Sequence, residues 1–193
     1  AAHEGMKLES PYVQQTALDL FGALVEKDKG FEKAIEAAQK GMQLEHPYTQ
    51  ETALALFAVL VEKDKGFDEA IEAAQKGMES KNNDVQKPAL ALWTALVEQL
   101  KKSVAGGKNI DQAIAAVKIG MKSTDDVVLK AARDLFKALV EKLKESVAEN
   151  KNIDQAIAAV KIGMESSNSY EQQTALELWT ALVAQLKQLV AKS

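Results

Sequence analysis

The chain lacks cysteine altogether, and this absence removes several kinds of chemistry. Among its 193 residues there is no Cys, which excludes disulfides, zinc–thiolate sites and thiol catalysis. No apolar run approaches the roughly 18 residues that a transmembrane helix needs, and no basic-then-apolar leader is present. We therefore expect no membrane partner, and the composition favours a cytoplasmic location.

Aromatic residues, proline and arginine are also scarce. With 5% aromatics, 3 Pro and no sustained strand alternation, the sequence favours helix over sheet. Arg133 is the only arginine among 24 basic residues, a lysine bias that fits either a natural genome or an engineered, consensus-derived sequence. The formal net charge of −4 argues against a groove that tracks phosphates, so we expect no nucleic-acid partner.

Self-similarity is the most informative feature that the sequence does have. The dipeptide Gly-Met occurs five times, at spacings of 36, 36, 43 and 43 residues, and a similar amphipathic segment follows each one. Such a period is typical of α-solenoids, so we predict a single solenoid domain over residues 1–193. Its five Gly-Met units are residues 5–40, 41–76, 77–119, 120–162 and 163–193, preceded by a truncated helix stub at 1–4.

Each unit has the pattern of two antiparallel helices, a longer first helix and a shorter second one. Two later units carry seven extra residues, between Glu98 and Asn109 and between Glu141 and Asn152. Seven residues are close to two helical turns and shift the phase by only about 20°, so we expect them to lengthen the first helix. The first helices are predicted to begin near Ser10-Pro11, His46-Pro47, Asn83-Asp84, Asp125-Asp126 and Asn168-Ser169. Asn109 and Asn152 are the expected N-caps of the second helices in the long units.

The Gly-Met pairs admit two interpretations. Gly could end the second helix in the left-handed conformation, with Met as the hydrophobic residue after it. Alternatively, the helix continues through Met, and the glycine allows a close approach between helices. We favour the second, since Ile35, Ala38 and Met42 keep helical spacing.

The run Asp84-Val85-Gln86-Lys87-Pro88-Ala89-Leu90, followed by Ala113-Ile114, resembles the HEAT-repeat unit of α-solenoids. The resemblance covers the whole chain but is generic, because the family's arginine is Gln or Leu here. It implies an all-α fold, a right-handed α-α superhelix (a HEAT-like solenoid) of about nine helices in five units.

HEAT-like arrays are mostly protein-binding scaffolds, and this resemblance implies the same role here. A minority are enzymes, such as the deoxyhypusine hydroxylases, which hold two irons through several His-Glu pairs. This chain has only His3-Glu4 and the reversed Glu45-His46. We therefore expect no enzyme activity, no metal site and no cofactor.

Two positions that recur in the units suggest either core or contact surface. One is aromatic throughout and is expected in the core, in preference to a stacking ladder for bases or a peptide: Phe21, Phe57, Trp93, Phe136 and Trp179. The other holds three tyrosines, Tyr12, Tyr48 and Tyr170, which are expected to be half-buried over helix ends.

Arg133 stands where other units have leucine. It is expected to keep its head in water or to pair with Asp134 or Asp126. The alternative is that its guanidinium binds an anion or carboxylate of a partner.

The clearest change between units is in the second helices. Two positions that hold Glu and Lys in the short units become apolar in the long ones, at Ala115 and Ile119 and again at Ala158 and Ile162. These residues are either extra core under the longer first helices or an exposed groove. The last helix is also more apolar, with Ala184 and Leu189 in place of Glu and Ser.

The sequence thus leads to a non-catalytic repeat scaffold. Its candidate partner-binding residues are Ala115, Ile119, Ala158, Ile162, Arg133, Ala184 and Leu189. The partner would be a protein or peptide, or a second copy of the chain bound through the C-terminal units. The alternatives are a structural or designed module for self-assembly without a natural ligand, and a small-molecule or catalytic site in the groove of the long units.

Overall fold

The computed structural model describes residues 2–6 and 10–192, without the side chains of residues 3, 189 and 192. Within these ranges every regular element is an α-helix and there is no strand, which confirms the all-α prediction. The helices are α1 (Ala2–Gly5), α2 (Pro11–Glu26), α3 (Phe31–Gln43), α4 (Pro47–Glu62), α5 (Phe67–Met78), α6 (Asn83–Ala105), α7 (Ile110–Gly120), α8 (Asp126–Ala148), α9 (Ile153–Glu165) and α10 (Ser169–Lys192).

The contacts group the chain into an N-terminal part, residues 1–99, and a C-terminal part, residues 100–193. In the N-terminal part α2, α3 and α4 pack against one another, α1 packs on α2, and α5 packs on α4. In the C-terminal part α8 packs against α7, α9 and α10, and α9 also contacts α7 and α10. In each part, then, a second helix lies against the first helix of its own unit and of the next.

Helix lengths agree with the predicted insertion. The first helices of the short units have 16 residues, whereas α6 and α8 have 23. The extra turns continue the apolar stripe, because Leu100, Val104, Leu143 and Val147 are all buried. The seven residues are therefore a helical extension that enlarges the core.

Three of the first helices, α6, α8 and α10, begin where a polar side chain accepts from a free backbone N–H group. The Asp125 carboxylate accepts from the N–H of Val127, and the Asn168 side chain accepts from the N–H of Tyr170, each at 2.9 Å. Helix α6, the first helix of the third unit, begins at Asn83, one residue earlier than predicted, because its cap is Asn82 and not Asn83. At α2 and α4, Ser10 and His46 occupy the cap position without a side-chain hydrogen bond, and proline follows each of them.

Asn109 and Asn152 precede the second helices as predicted, but for another reason. Neither makes a side-chain cap hydrogen bond, and both have left-handed backbone with φ of 51° and 53°. The short units place Gly30 and Gly66 there, with φ of 69° and 64°. Asparagine is therefore used because it tolerates a conformation that most side chains avoid.

The glycines of the Gly-Met pairs mark close crossings between helices at Gly5, Gly41, Gly77 and Gly163. None of them has positive φ, so the left-handed interpretation is wrong. A Cβ built on Gly41 would lie 2.8 Å from Ala53 Cβ in α4, and one on Gly77 would lie 2.5 Å from Ala89 Cβ. Helices α3, α5 and α9 continue through the methionine, while α7 ends at Gly120. The glycine thus lets a second helix approach the next first helix at van der Waals contact.

Candidate partner-binding surface

The apolar positions on α7 and α9 lie between the two predicted alternatives. All four side chains are half-buried: Ala115, Ile119, Ala158 and Ile162. The Glu and Lys at the same positions of α3, Glu36 and Lys40, are exposed. Helices α7 and α9 contact each other, and each of these four residues keeps part of its surface in water. They form neither a sealed core nor an open groove.

Arg133 pairs with a residue that the sequence analysis did not consider. Its Nε donates to Glu171 Oε1 at 2.5 Å, from α8 to α10. The pairing with Asp134 or Asp126, which was expected as an alternative to a solvated head, is therefore wrong. The arginine side chain is partly exposed, whereas Glu171 is buried, with 2% of its surface accessible. The second carboxylate oxygen of Glu171 accepts from Ser166 Oγ. The charge is thereby taken up by two donors, which a buried carboxylate requires.

Glu171 could have been found from the sequence by comparing units. The residues at its position, eight after the glycine, are Val13, Thr49, Val85 and Val128 in the other units. Glu171 is the only carboxylate at its position, and Arg133 is the only charged residue at a position that otherwise holds leucine. These two exceptions occur in consecutive units. Two such exceptions of opposite charge indicate a contact between the two positions.

The most exposed apolar surface lies on α10. Leu176, Trp179, Val183, Leu186 and Val190 follow one another at three- or four-residue intervals. At 100° per residue they fall within an arc of about 80°. Trp179 is 47% accessible and Val190 76%, Leu176 and Leu186 are similarly exposed to Trp179, and Val183 is half-buried. We call these five residues the α10 stripe.

The α10 stripe differs from the residues that the sequence singled out on this helix. Ala184 is exposed, but it lies about 80° around the helix from Leu176, off the stripe. The side chain of Leu189 lies outside the described residues. Trp179 was expected in the core, which is correct for the other four aromatics of its position and wrong for this one. The three tyrosines are exposed as well, not half-buried.

The same positions of α8 are fully covered. Phe136, Val140, Leu143 and Val147 correspond to the last four residues of the α10 stripe, and each is at most 2% accessible. The helix that covers Phe136 is α9, because Phe136 Cζ lies 2.7 Å from a Cβ built on Gly163. In the described part of the chain no second helix follows α10. The α10 stripe is therefore apolar surface that is exposed where the same positions of α8 are buried.

Among the described residues no group of three or more His, Asp or Glu is placed to hold a metal ion. The described helices include none that is both long and apolar enough to cross a bilayer. No protein-family model matches the sequence, and no curated protein is significantly similar to it.

Proposed function

We propose that the protein is a non-catalytic helical scaffold that binds an amphipathic helix of a partner protein along the α10 stripe. The observation that supports this proposal is the exposure of Trp179 and Val190 on a face whose counterpart in α8 is buried, with α9 packed on it at Phe136. Contiguous exposed apolar side chains on a helix are typical of interaction surfaces.

The chemistry of the partner follows from the helix that covers the same positions on α8. Helix α9 is 13 residues long and crosses Phe136 at Gly163, where no Cβ stands between the two helices. A partner that covers the whole α10 stripe would therefore present an apolar face of about three turns and a glycine opposite Trp179. This is the groove-and-helix mode of recognition, in which anchors at i, i+3, i+4 and i+7 bury against a complementary face.

The two tryptophans make the proposal directly measurable. Trp93 is fully buried and Trp179 is half-exposed, so a Trp93→Phe variant leaves one reporter, on the binding surface. We expect a synthetic peptide of residues 152–166 to shift its emission to the blue and to saturate, because helix formation over Trp179 removes water from the ring. The protein is held at about 1 µM, well below typical weak-interface dissociation constants.

Matched variants locate the site. Val190→Lys places a charge on the α10 stripe and should weaken peptide binding about tenfold. Gln188→Lys adds the same charge to an exposed residue about 160° from Val190 and should leave binding unchanged. A peptide with Gly163→Leu should bind less well than the parent peptide. An emission spectrum that does not move up to millimolar peptide, in a variant that is still helical, contradicts the proposal.

A further inference from the structure

We infer that the α10 stripe binds the N-terminal end of a second copy of this chain, so that copies associate head to tail. This inference rests on the proposed function, because it names the partner for the same surface. It commits to α1 and α2 of the second copy as the occupant, and it predicts a contact between two different surfaces.

Helix α1 is of the kind that packs on Phe136 of α8 and that, among the described residues, is not found over the α10 stripe. Helix α1 ends at Gly5, and a Cβ on Gly5 would lie 2.9 Å from Ala17 Cβ in α2. Gly163 of α9 meets Ala175 of α10 in the same way, at 2.6 Å. Helix α1 is therefore placed on α2 as α9 is placed on α10. Stacked on α10 of another copy, α1 would bring Gly5 to Trp179, as α9 brings Gly163 to Phe136.

The first long helix, α2, also exposes apolar side chains at positions that are buried elsewhere. Val13 is 37% and Leu20 43% accessible. They line an open cavity of about 300 Å³, together with Gly5. On α10, the residue at Leu20's position, Leu178, is buried, and α10 packs there against α8. The exposed face of α2 is thus the face that packs on a preceding first helix.

The packing of α10 on α8 provides a template for the contact between copies. In that packing Arg133 pairs with Glu171. Arg133 lies 13 residues after Gly120, the glycine of its unit, and Glu171 lies eight residues after Gly163, the glycine of the next unit. The residues at those two positions at the chain's ends are Leu176 and Val13. Both are apolar and both are exposed. The junction between copies would therefore replace an ion pair by an apolar pair at the same place.

A second contact of the template gives charge complementarity. Lys144 of α8 pairs with Glu177 of α10 at 2.5 Å. The residues at the same positions at the two ends are Lys187 of α10 and Asp19 of α2, and both are exposed. A second copy placed on α10 as α10 lies on α8 would form a Lys187–Asp19 ion pair. On this template, α10 of one copy and α2 of the next are therefore complementary in apolar surface and charge.

The contact between copies would not reach the end of the α10 stripe. Helix α1 has four residues, or about 6 Å at 1.5 Å per residue, whereas Val190 lies about 16 Å along α10 from Trp179. Val190 would thus be covered by a 13-residue peptide helix but not by α1. This difference separates the two proposals experimentally.

The test uses two variants of the full chain, and each variant blocks one of the two surfaces. Val13→Glu blocks the N-terminal surface and Leu176→Glu blocks the C-terminal one. Sedimentation velocity from about 1 µM to 1 mM should show concentration-dependent association of the wild type. Each variant alone should be monomeric, and a mixture of the two should form a 1:1 complex and nothing larger, because one intact surface of each kind remains. A contact between different surfaces has this property, and an isologous dimer does not.

The ion pair supplies a rescue experiment. Asp19→Lys and Lys187→Asp should each weaken association about two- to fivefold at low salt, and the double variant should restore it. Val190→Lys should leave the association of copies unchanged, whereas it should weaken binding of the peptide of residues 152–166. Monomers at every concentration would overturn the inference, and so would association that persists in the Val13→Glu variant. If the peptide still binds in either case, the proposed function stands without this partner.

Discussion

The close crossing at Gly41 makes a prediction whose sign opposes helix propensity. Replacing an interior helical glycine by alanine ordinarily stabilises a helix, by about 0.5–1 kcal/mol. At Gly41, however, the added Cβ would lie 2.8 Å from Ala53 Cβ and 3.2 Å from Leu18 Cδ1. Leu18 can change rotamer, but the alanine methyl is fixed to its backbone. Helices α3 and α4 must therefore move apart.

The magnitude follows from the distance. Carbon atoms in good contact are about 3.5–4.0 Å apart, so the two helices must separate by about 1 Å locally. Overpacking of this kind costs about 1–3 kcal/mol. After the gain in propensity, Gly41→Ala should destabilise the protein by about 0.5–2 kcal/mol.

Gly22→Ala is the matched control in the same part of the chain. Gly22 is also interior to a helix, and the nearest side-chain atom to its added Cβ, Leu56 Cδ1, is 4.0 Å away. This variant should be stabilised by about 0.5–1 kcal/mol. The double variant Gly41→Ala/Ala53→Gly moves one methyl from α4 to α3 and should return to within about 1 kcal/mol of the wild type.

Urea unfolding followed by circular dichroism measures all three free energies, with the slope m compared between variants. A stabilisation by Gly41→Ala equal to that by Gly22→Ala would refute the reasoning, since the glycine would then have no packing role. Failure of the double variant to recover stability would refute it as well, because the clash could not be with Ala53.

Two further predictions concern the C-terminal part. Arg133→Leu leaves the buried carboxylate of Glu171 without its cation and should destabilise the protein by about 2–4 kcal/mol, whereas Glu171→Val leaves a partly exposed arginine and should cost about 1 kcal/mol or less. The double variant restores the Leu–Val combination found at these positions in other units and should unfold at a urea concentration close to that of the wild type. Additive losses in the double variant would contradict the pairing. The second prediction uses Ala115→Glu with Ile119→Lys, which restores on α7 the charges that α3 carries. Because both residues are half-buried, we expect the free energy of unfolding in urea to fall by about 1–2 kcal/mol. This loss lies between the ±0.5 kcal/mol typical of an exposed site and the several kcal/mol typical of a core site. An unchanged free energy of unfolding, together with loss of association in sedimentation, would instead show that these residues form an interface.

Local features of this protein could be predicted from sequence because they are set by short-range periodicity. The two-turn extension is an example, since Leu100 and Val104 keep the 3.6-residue phase of the stripe before them. The crossing at Gly41 is another, because a glycine that recurs within a helical pattern points to a close neighbour. In both cases the relevant residues lie within one helix, where geometry relates position directly to face.

The contacts between helices required the tertiary structure. Arg133 and Glu171 are 38 residues apart, so no helical spacing relates them. The carboxylates expected as an alternative to solvent, Asp134 and Asp126, lie on the arginine's own helix. Trp179 was expected in the core because its position lies in the middle of the apolar stripe of its helix. A residue's place on an apolar stripe is a property of its own helix, whereas its burial depends on whether another helix lies over that stripe. Only the structure shows that α9 covers Phe136 and that, among the described helices, no second helix follows to cover Trp179.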